Sequence, residues 1–108
     1  MEILTHDRFS SFSSSHSKIV LLLYVRDSDL SSAALRSLSS MSPFLRAEGF
    51  EPVAVDVTNL GVPISEELSC VRVPQVRVVL SGNLVSSFLG FPDSVSAMSS
   101  FLENSHHD

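Results

Sequence analysis

Hydrophobic positions are distributed unevenly along the chain, in continuous runs, strict alternations and a three-and-four rhythm. The densest run is "KIVLLLYV", Lys18 to Val25. It is rich in β-branched and aromatic residues, holds no Gly or Pro and lacks polar alternation, which predicts a central strand covered by helices on both faces. Upstream, Glu2 to Leu4 predicts a short strand, and Thr5 is placed to cap a helix carrying Phe9 and Phe12 on its apolar side. "SSSHS", residues 13–17, then reads as a loop. From Leu30 the apolar residues Leu30, Ala34, Leu35, Leu38, Met41 and Leu45 recur at helical spacing, with Asp29 near the positive end of the helix dipole. Pro43 is placed to kink that helix or end its regular part.

Gly49 marks the helix stop, after which "EPVAVDVT" alternates as a second long strand. "NLGVPISEELSC" holds a turn and a short helix around Ile64 to Leu68. "VPQVRVVL" and "LVSSFLGF" flank Ser81-Gly82-Asn83, two strand runs around a glycine turn, and predict an antiparallel hairpin. In "DSVSAMSSFLEN", Asp93 is the expected cap of a closing helix with Val95, Met98, Phe101 and Leu102 on one face. The predicted order is β-α-β-α-β-α-β-β-α, a single α/β domain over residues 1–108 with a frayed tail from about 104.

Composition narrows the function. At 108 residues, 44% hydrophobic and 18% charged, the chain is one compact domain with no room for a second module. The net charge of −5, with seven Lys and Arg scattered singly, lacks the basic footprint of a nucleic-acid binder. No run approaches the roughly 20 apolar residues of a membrane span, and "MEILTHDRF" has neither the basic nor the apolar segment of a secretory signal. A cytoplasmic setting is therefore expected, and the single cysteine, Cys70, suits a reducing compartment. His6, His16, His106 and His107 have no zinc-like spacing, so no metal is expected. No cofactor is expected either.

The element order, in a chain of this length, resembles thioredoxin over essentially its whole extent. "ILTHDRFSSF" looks like the family's opening strand, turn and Phe-containing first helix. "IVLLLYV" stands where its central strand leads into the active-site helix. Val73-Pro74-Gln75 resembles the segment carrying its cis-proline, and Gly82 and Gly90 fall at the spacing of the hairpin and post-hairpin glycines. The resemblance implies a thioredoxin-like fold, a central mixed sheet between helices.

Carried over by position, the W-C-G-P-C motif falls on Asp27, Ser28, Asp29, Leu30 and Ser31, and every residue differs. Thiol exchange needs a thiolate to attack a disulfide and a second thiol to resolve it. Serine ionises far too weakly for that role. The family's buried aspartate would fall on Leu22 and its strand lysine on Ala54. Linked parts of the redox machinery are replaced together, which marks Ser28 and Ser31 as former active-site positions on a repurposed scaffold.

Serine is also favoured at helix starts, and 23 of the residues are serine, with the same spacing recurring at Ser37 and Ser40. A plain capping role for Ser28 and Ser31 is thus the simplest reading. A sharper one has Ser28 hydrogen-bond the thiol of glutathione, as a serine does in some glutathione transferases of this fold. The "VPQV" segment also looks glutaredoxin-like. In the resembled fold, backbone beside the proline is open to an extended peptide. The expected groove is built from Tyr24, Asp27, Ser28, Val73, Pro74 and Gly90.

The function expected first is a redox-inactive protein that binds a protein or peptide partner through that face, as an adaptor, assembly or chaperone-like module. The alternative is a thiol-disulfide oxidoreductase or glutathione-binding protein using Cys70 or Ser28, or an active thioredoxin whose cysteines were changed to serine. A third class makes contact through a sheet edge or helix face instead. Cys70, if exposed, is a redox-sensitive thiol that would support a disulfide-linked homodimer or take a glutathione cap.

Overall fold

A computed structural model of the chain describes residues 2–4, 8–25, 28–57, 74–92 and 94–105. Its elements are β1 (Glu2–Leu4), α1 (Phe9–Ser15), β2 (Lys18–Tyr24), α2 (Asp29–Ala47), β3 (Glu51–Asp56), β4 (Gln75–Leu80), β5 (Asn83–Leu89) and α3 (Val95–Ser105). The strands form one mixed sheet in the order β1-β3-β2-β4-β5. β1 and β2 flank β3 in parallel, while β4 runs antiparallel to both β2 and β5.

The continuous apolar run of β2 occupies the middle of the sheet, as its pattern requires. Ile19 to Leu23 are fully buried, and their side chains alternate between two cores. Val20, Leu22 and Tyr24 pack with Ala34, Leu38, Met41 and Leu45 of α2 and with Met98, Phe101 and Leu102 of α3. Ile19, Leu21 and Leu23 face the other way, toward Phe9 of α1, Val53 and Val55. Burying each such aliphatic side chain contributes about 1.5–3 kcal/mol, so β2 anchors both layers at once.

Several expected boundaries move. Ser13–Ser15 belong to α1 rather than to a loop, and the helix start at Arg8 carries no side-chain cap; Thr5 lies outside the described residues. Leu30, expected on the buried face of α2, is 71% exposed. The inward row is instead Ser31, Ala34, Leu38, Met41 and Leu45, so counting back from Ala34 the helix turns in three residues earlier, not four. Pro43 does not end α2, which continues to Ala47 with the proline on its exposed side. The hydroxyl of Ser94 accepts from Ala97 N–H at 3.1 Å, so Ser94 caps α3; Asp93 is outside the described residues. α3 runs to Ser105, two residues into the expected tail. The helix expected around Ile64 to Leu68 also lies outside the described residues.

α2 closes where Gly49 was expected to stop it. Gly49 has φ +87°, a conformation open to glycine at little cost. Its N–H donates to Arg46 O at 3.0 Å, and Phe50 N–H donates to Leu45 O at 2.9 Å. That double return satisfies the last carbonyls of the helix and folds Phe50 back into the core. Lys18 braces the same corner, with its ammonium 4.6 Å from the centre of the Phe50 ring and donating to Glu48 O. Two shallow depressions at this end of the sheet, of about 480 and 500 Å³, are lined by residues of 13–18, 46–51 and 81–82. The opposite end, where β2 ends and α2 begins, holds the predicted site.

Candidate functional site

The chain leaves β2 at Tyr24 and enters α2 at Asp29, so Ser28 sits at a strand-to-helix junction above the ends of the central strands. Its backbone is extended (φ −115°, ψ 128°), the usual geometry of an N-cap, and its hydroxyl accepts from Ser31 N–H at 3.3 Å. Its carbonyl accepts from Ser32 N–H at 2.9 Å. Ser31 is nearly sealed, at 1% exposure, and its hydroxyl accepts from Val25 N–H at 3.2 Å. The two serines therefore tie the first turn of the helix to itself and to the end of β2. Each satisfies a backbone donor that the turn would otherwise leave open.

Across the sheet lies Pro74, buried just before β4. Its carbonyl accepts from Gly90 N–H at 2.8 Å, which joins the start of β4 to the end of β5. Gly90 has φ +88°, and a Cβ there would meet nothing within 4 Å. The glycine is thus set by backbone conformation and leaves open space in front of this corner. The register places Leu23 opposite Gln75 and Gln75 opposite Leu89, so Ser28, Pro74, Leu89 and Gly90 share one end of the molecule.

Beneath the junction, Leu22 pairs directly with Ala54 across β2 and β3. Both are fully buried in the same core. Among the described residues the only buried charge is Arg77, whose alternation on β4 directs it to the α1 side and whose Nε donates to Gln75 Oε1 at 2.6 Å. A carboxylate or ammonium at 22 or 54 would need a charged or polar partner. An apolar pair is the self-consistent alternative.

By sequence, no protein-family model matches this chain, and no curated protein is a match. The likeness is in three dimensions. Thioredoxin from Plasmodium falciparum superposes with a TM-score of 0.76 at 17% identity, covering 96% of this chain and 98% of its own. Thioredoxin f from spinach chloroplast, in its long form, gives 0.77 at 11% identity, covering 98% and 86%. Thioredoxin f2 from Chlamydomonas reinhardtii gives 0.77 at 12%, covering 98% and 96%. The fold is that of thioredoxin.

Within the thioredoxin fold, Ser28 and Ser31 stand at the start of the helix after the central strand, where the resemblance placed a cysteine pair. Leu22 and Ala54, the positions given to the aspartate and lysine, are direct neighbours in the sheet. Two carry-overs made separately along the sequence thus converge on one buried spot. With one cysteine in 108 residues, the chain has no intramolecular thiol pair to oxidise.

Of the six residues expected to line a groove, four are described. Ser28, Pro74 and Gly90 come to the same end of the fold. Tyr24 does not line a surface: it is only 8% exposed and belongs to the core with Leu38 and Met98, because the even positions of β2 point toward α2. Asp27, Val73 and Cys70 lie outside the described residues. Sequence reading missed the most exposed large apolar residue among the described residues, Leu30, by assigning it to the core. The signal was present in Ser31, whose place in the row Ser31, Ala34, Leu38 turns Leu30 outward. Leu89, 56% exposed and next to Gly90, was likewise hidden in a run read only as a strand. No described helix is long and apolar enough to cross a membrane, and no group of three or more His, Cys, Asp or Glu among the described residues is placed to hold a metal.

Proposed function

We propose that this chain is a redox-inactive protein of the thioredoxin fold that binds an extended protein or peptide segment at the end where β2 gives way to α2. The carrying observation is the coincidence of an intact corner with absent chemistry. Ser28 caps the helix and Pro74 is bonded to Gly90, while the proton-handling position is Leu22 against Ala54. Leu30, at 71% exposure on the first turn of α2, supplies the apolar contact that such a surface uses to hold a side chain. An extended segment held at this corner would bind in the manner of strand addition. The net charge of −5 favours basic segments over acidic ones, and the setting is cytoplasmic. The role is that of an adaptor, an assembly subunit or a chaperone-like module rather than an enzyme.

Leu30→Ser tests this reading, since the residue is exposed and its loss costs the fold little. A cysteine-free, unfolded polypeptide of net positive charge is titrated against the native chain and the variant by calorimetry. The dissociation constant is expected to rise about tenfold or more, the effect of losing one apolar anchor worth about 1.4 kcal/mol. Equal affinity of the two proteins would remove the α2 end from the binding surface.

A further inference from the structure

At the end of the sheet away from that corner, the two depressions adjoin across Ser15, His16 and Ser17, which line both. Backbone features hold their walls in place. α1 ends at Ser15 and β2 begins at Lys18, so residues 16 and 17 cross between them. Ser17 O accepts from Ser81 N–H at 2.7 Å, which pins the hairpin turn beside that crossing. Ser81 and Gly82 both hold positive φ, +52° and +82°, the geometry of a tight two-residue turn. The remaining wall is the close of α2 at Gly49.

The two halves differ in chemistry. Lys18 and Arg46, two of the seven Lys and Arg in the chain, line the first, with Glu51 as the one carboxylate among its described lining residues. The Lys18 ammonium is held over the Phe50 ring and by Glu48 O at 3.3 Å, which uses one of its three donors. A Cβ at position 49 would lie 3.3 Å from that nitrogen, so glycine keeps the space it occupies. Arg46 makes a single Nη2 contact to Glu51 at 3.2 Å, with its side chain 51% exposed, although a guanidinium offers five donors. The second half carries no Lys, Arg, Asp or Glu among its described lining residues, where Ser13, Ser14 and Ser81 join the shared serines. His16 Nδ1 lies 2.9 Å from Phe12 O. A carbonyl only accepts, so Nδ1 carries the proton and Nε2 of the neutral ring is an acceptor.

We infer that this recess binds a sugar phosphate, with the phosphate between Lys18 and Arg46 and the sugar hydroxyls along Ser15, His16, Ser17 and Ser81. Charge selects the phosphate. Glu51 already offers Arg46 a carboxylate, and a phosphate monoester, with nearly twice that charge and three acceptor oxygens, competes for the guanidinium on better terms. A net charge of −5 opposes anions over most of the surface, so the pair of cations is a local exception. The uncharged half selects the body of the ligand, since serine hydroxyls both donate and accept and so match a sugar. A nucleotide is served poorly. Phe50 is 3% exposed beneath Lys18, and Phe12 is stacked with His16 and packed on the core, so neither ring offers an open face to a base. Each half falls within the volume range of small-ligand sites. The recess is remote from the corner assigned above to peptide binding, and the inference does not rest on that assignment.

Titration of the isotopically labelled full chain with glucose 6-phosphate, at constant ionic strength and followed by amide shifts, tests it. Inorganic phosphate and glucose are titrated alongside, and the ester is titrated into Lys18→Gln, Arg46→Gln and Glu51→Gln. Saturable perturbation of residues 15–18, Gly49 and Gly82 is expected, with Ser28 and Gly90 unmoved. The ester is expected to bind at least about fivefold more tightly than inorganic phosphate, and glucose not measurably. Lys18→Gln and Arg46→Gln each remove a charge-assisted hydrogen bond and are expected to raise the dissociation constant about tenfold. Glu51→Gln removes the competing carboxylate and is expected to lower it about threefold, a gain that a merely structural role for this corner would not produce. Core amide shifts check the fold, and the half-exposed Arg46 reads the site even where Lys18→Gln loosens the close of α2. No saturable change, perturbation centred elsewhere, unchanged affinity in Arg46→Gln or in a folded Lys18→Gln, no gain in Glu51→Gln, or inorganic phosphate or glucose binding as tightly as the ester would each overturn the inference.

Discussion

Leu22→Asp is expected to destabilise the protein by more than about 5 kcal/mol at neutral pH, enough to unfold much of it. Leu22 is fully buried, pairs with Ala54 and packs under α2 and α3. Removing its side-chain volume costs about 2–5 kcal/mol, and a carboxylate sealed there with no described charge of opposite sign in that core adds a penalty of several more. The stability of a domain is only about 5–15 kcal/mol. The loss depends on pH. Burial raises the folded-state pKa of the new carboxyl above its unfolded value near 3.9, so its charge penalty is absent below about pH 4 and grows as pH rises toward that folded value. Urea unfolding across pH measures both effects. An unfolding midpoint matching the native chain at pH 7 would mean that this part of the sheet is polar or wet, contrary to the sealed apolar pair described here.

Ser28→Cys combined with Ser31→Cys is expected to confer disulfide reductase activity, with none expected of the native chain. Position 28 caps α2 and lies at its positive end, where a thiol ionises more readily. Position 31 is one turn along and buried, suited to resolving a mixed disulfide. The gain is limited by Leu22, which cannot move a proton, and a positioned acid–base group contributes about 100-fold even at the low end of its range. Insulin reduction by dithiothreitol is therefore expected to run at the uncatalysed rate with the native chain. The double variant is expected to exceed that rate while remaining about 100-fold below a thioredoxin that has the aspartate. Acceleration by the native chain would assign chemistry to Cys70. Failure of the correctly folded double variant would mean that the junction has diverged beyond the two serines.

The sequence carried the scaffold clearly because each strand and helix had its own pattern. β2 was legible from an unbroken apolar run that only a two-sided core can accommodate. The close of α2 was legible because Gly49 is required by the positive φ of the helix ending. The hairpin at Ser81-Gly82 was equally plain. Reading became poorer where two patterns fit the same residues. Leu30 and Ser31 are both compatible with an inward row through Ala34, and hydropathy favours the wrong one. The structure resolves the conflict by burying Ser31 and satisfying its hydroxyl with Val25 N–H. Serine likewise gave no signal for the end of α1, since it serves in loops and helices alike. Tyr24 was misplaced because its position beside the junction outweighed the two-residue alternation that sends it into the core. The partnership of Leu22 with Ala54 depends on register between strands 32 residues apart in the chain, which only the assembled sheet displays.

The central claim is that binding survives at a corner whose thiol chemistry is gone. Its most direct test is to record amide shifts of the isotopically labelled Cys70→Ser chain during titration with the cysteine-free basic polypeptide. The expected result is saturable perturbation of Val25, Ser28, Leu30 and Gly90, with Lys18, Gly49 and Gly82 at the other end of the sheet unmoved. Perturbation centred on that other end, or no saturable change anywhere, would contradict it.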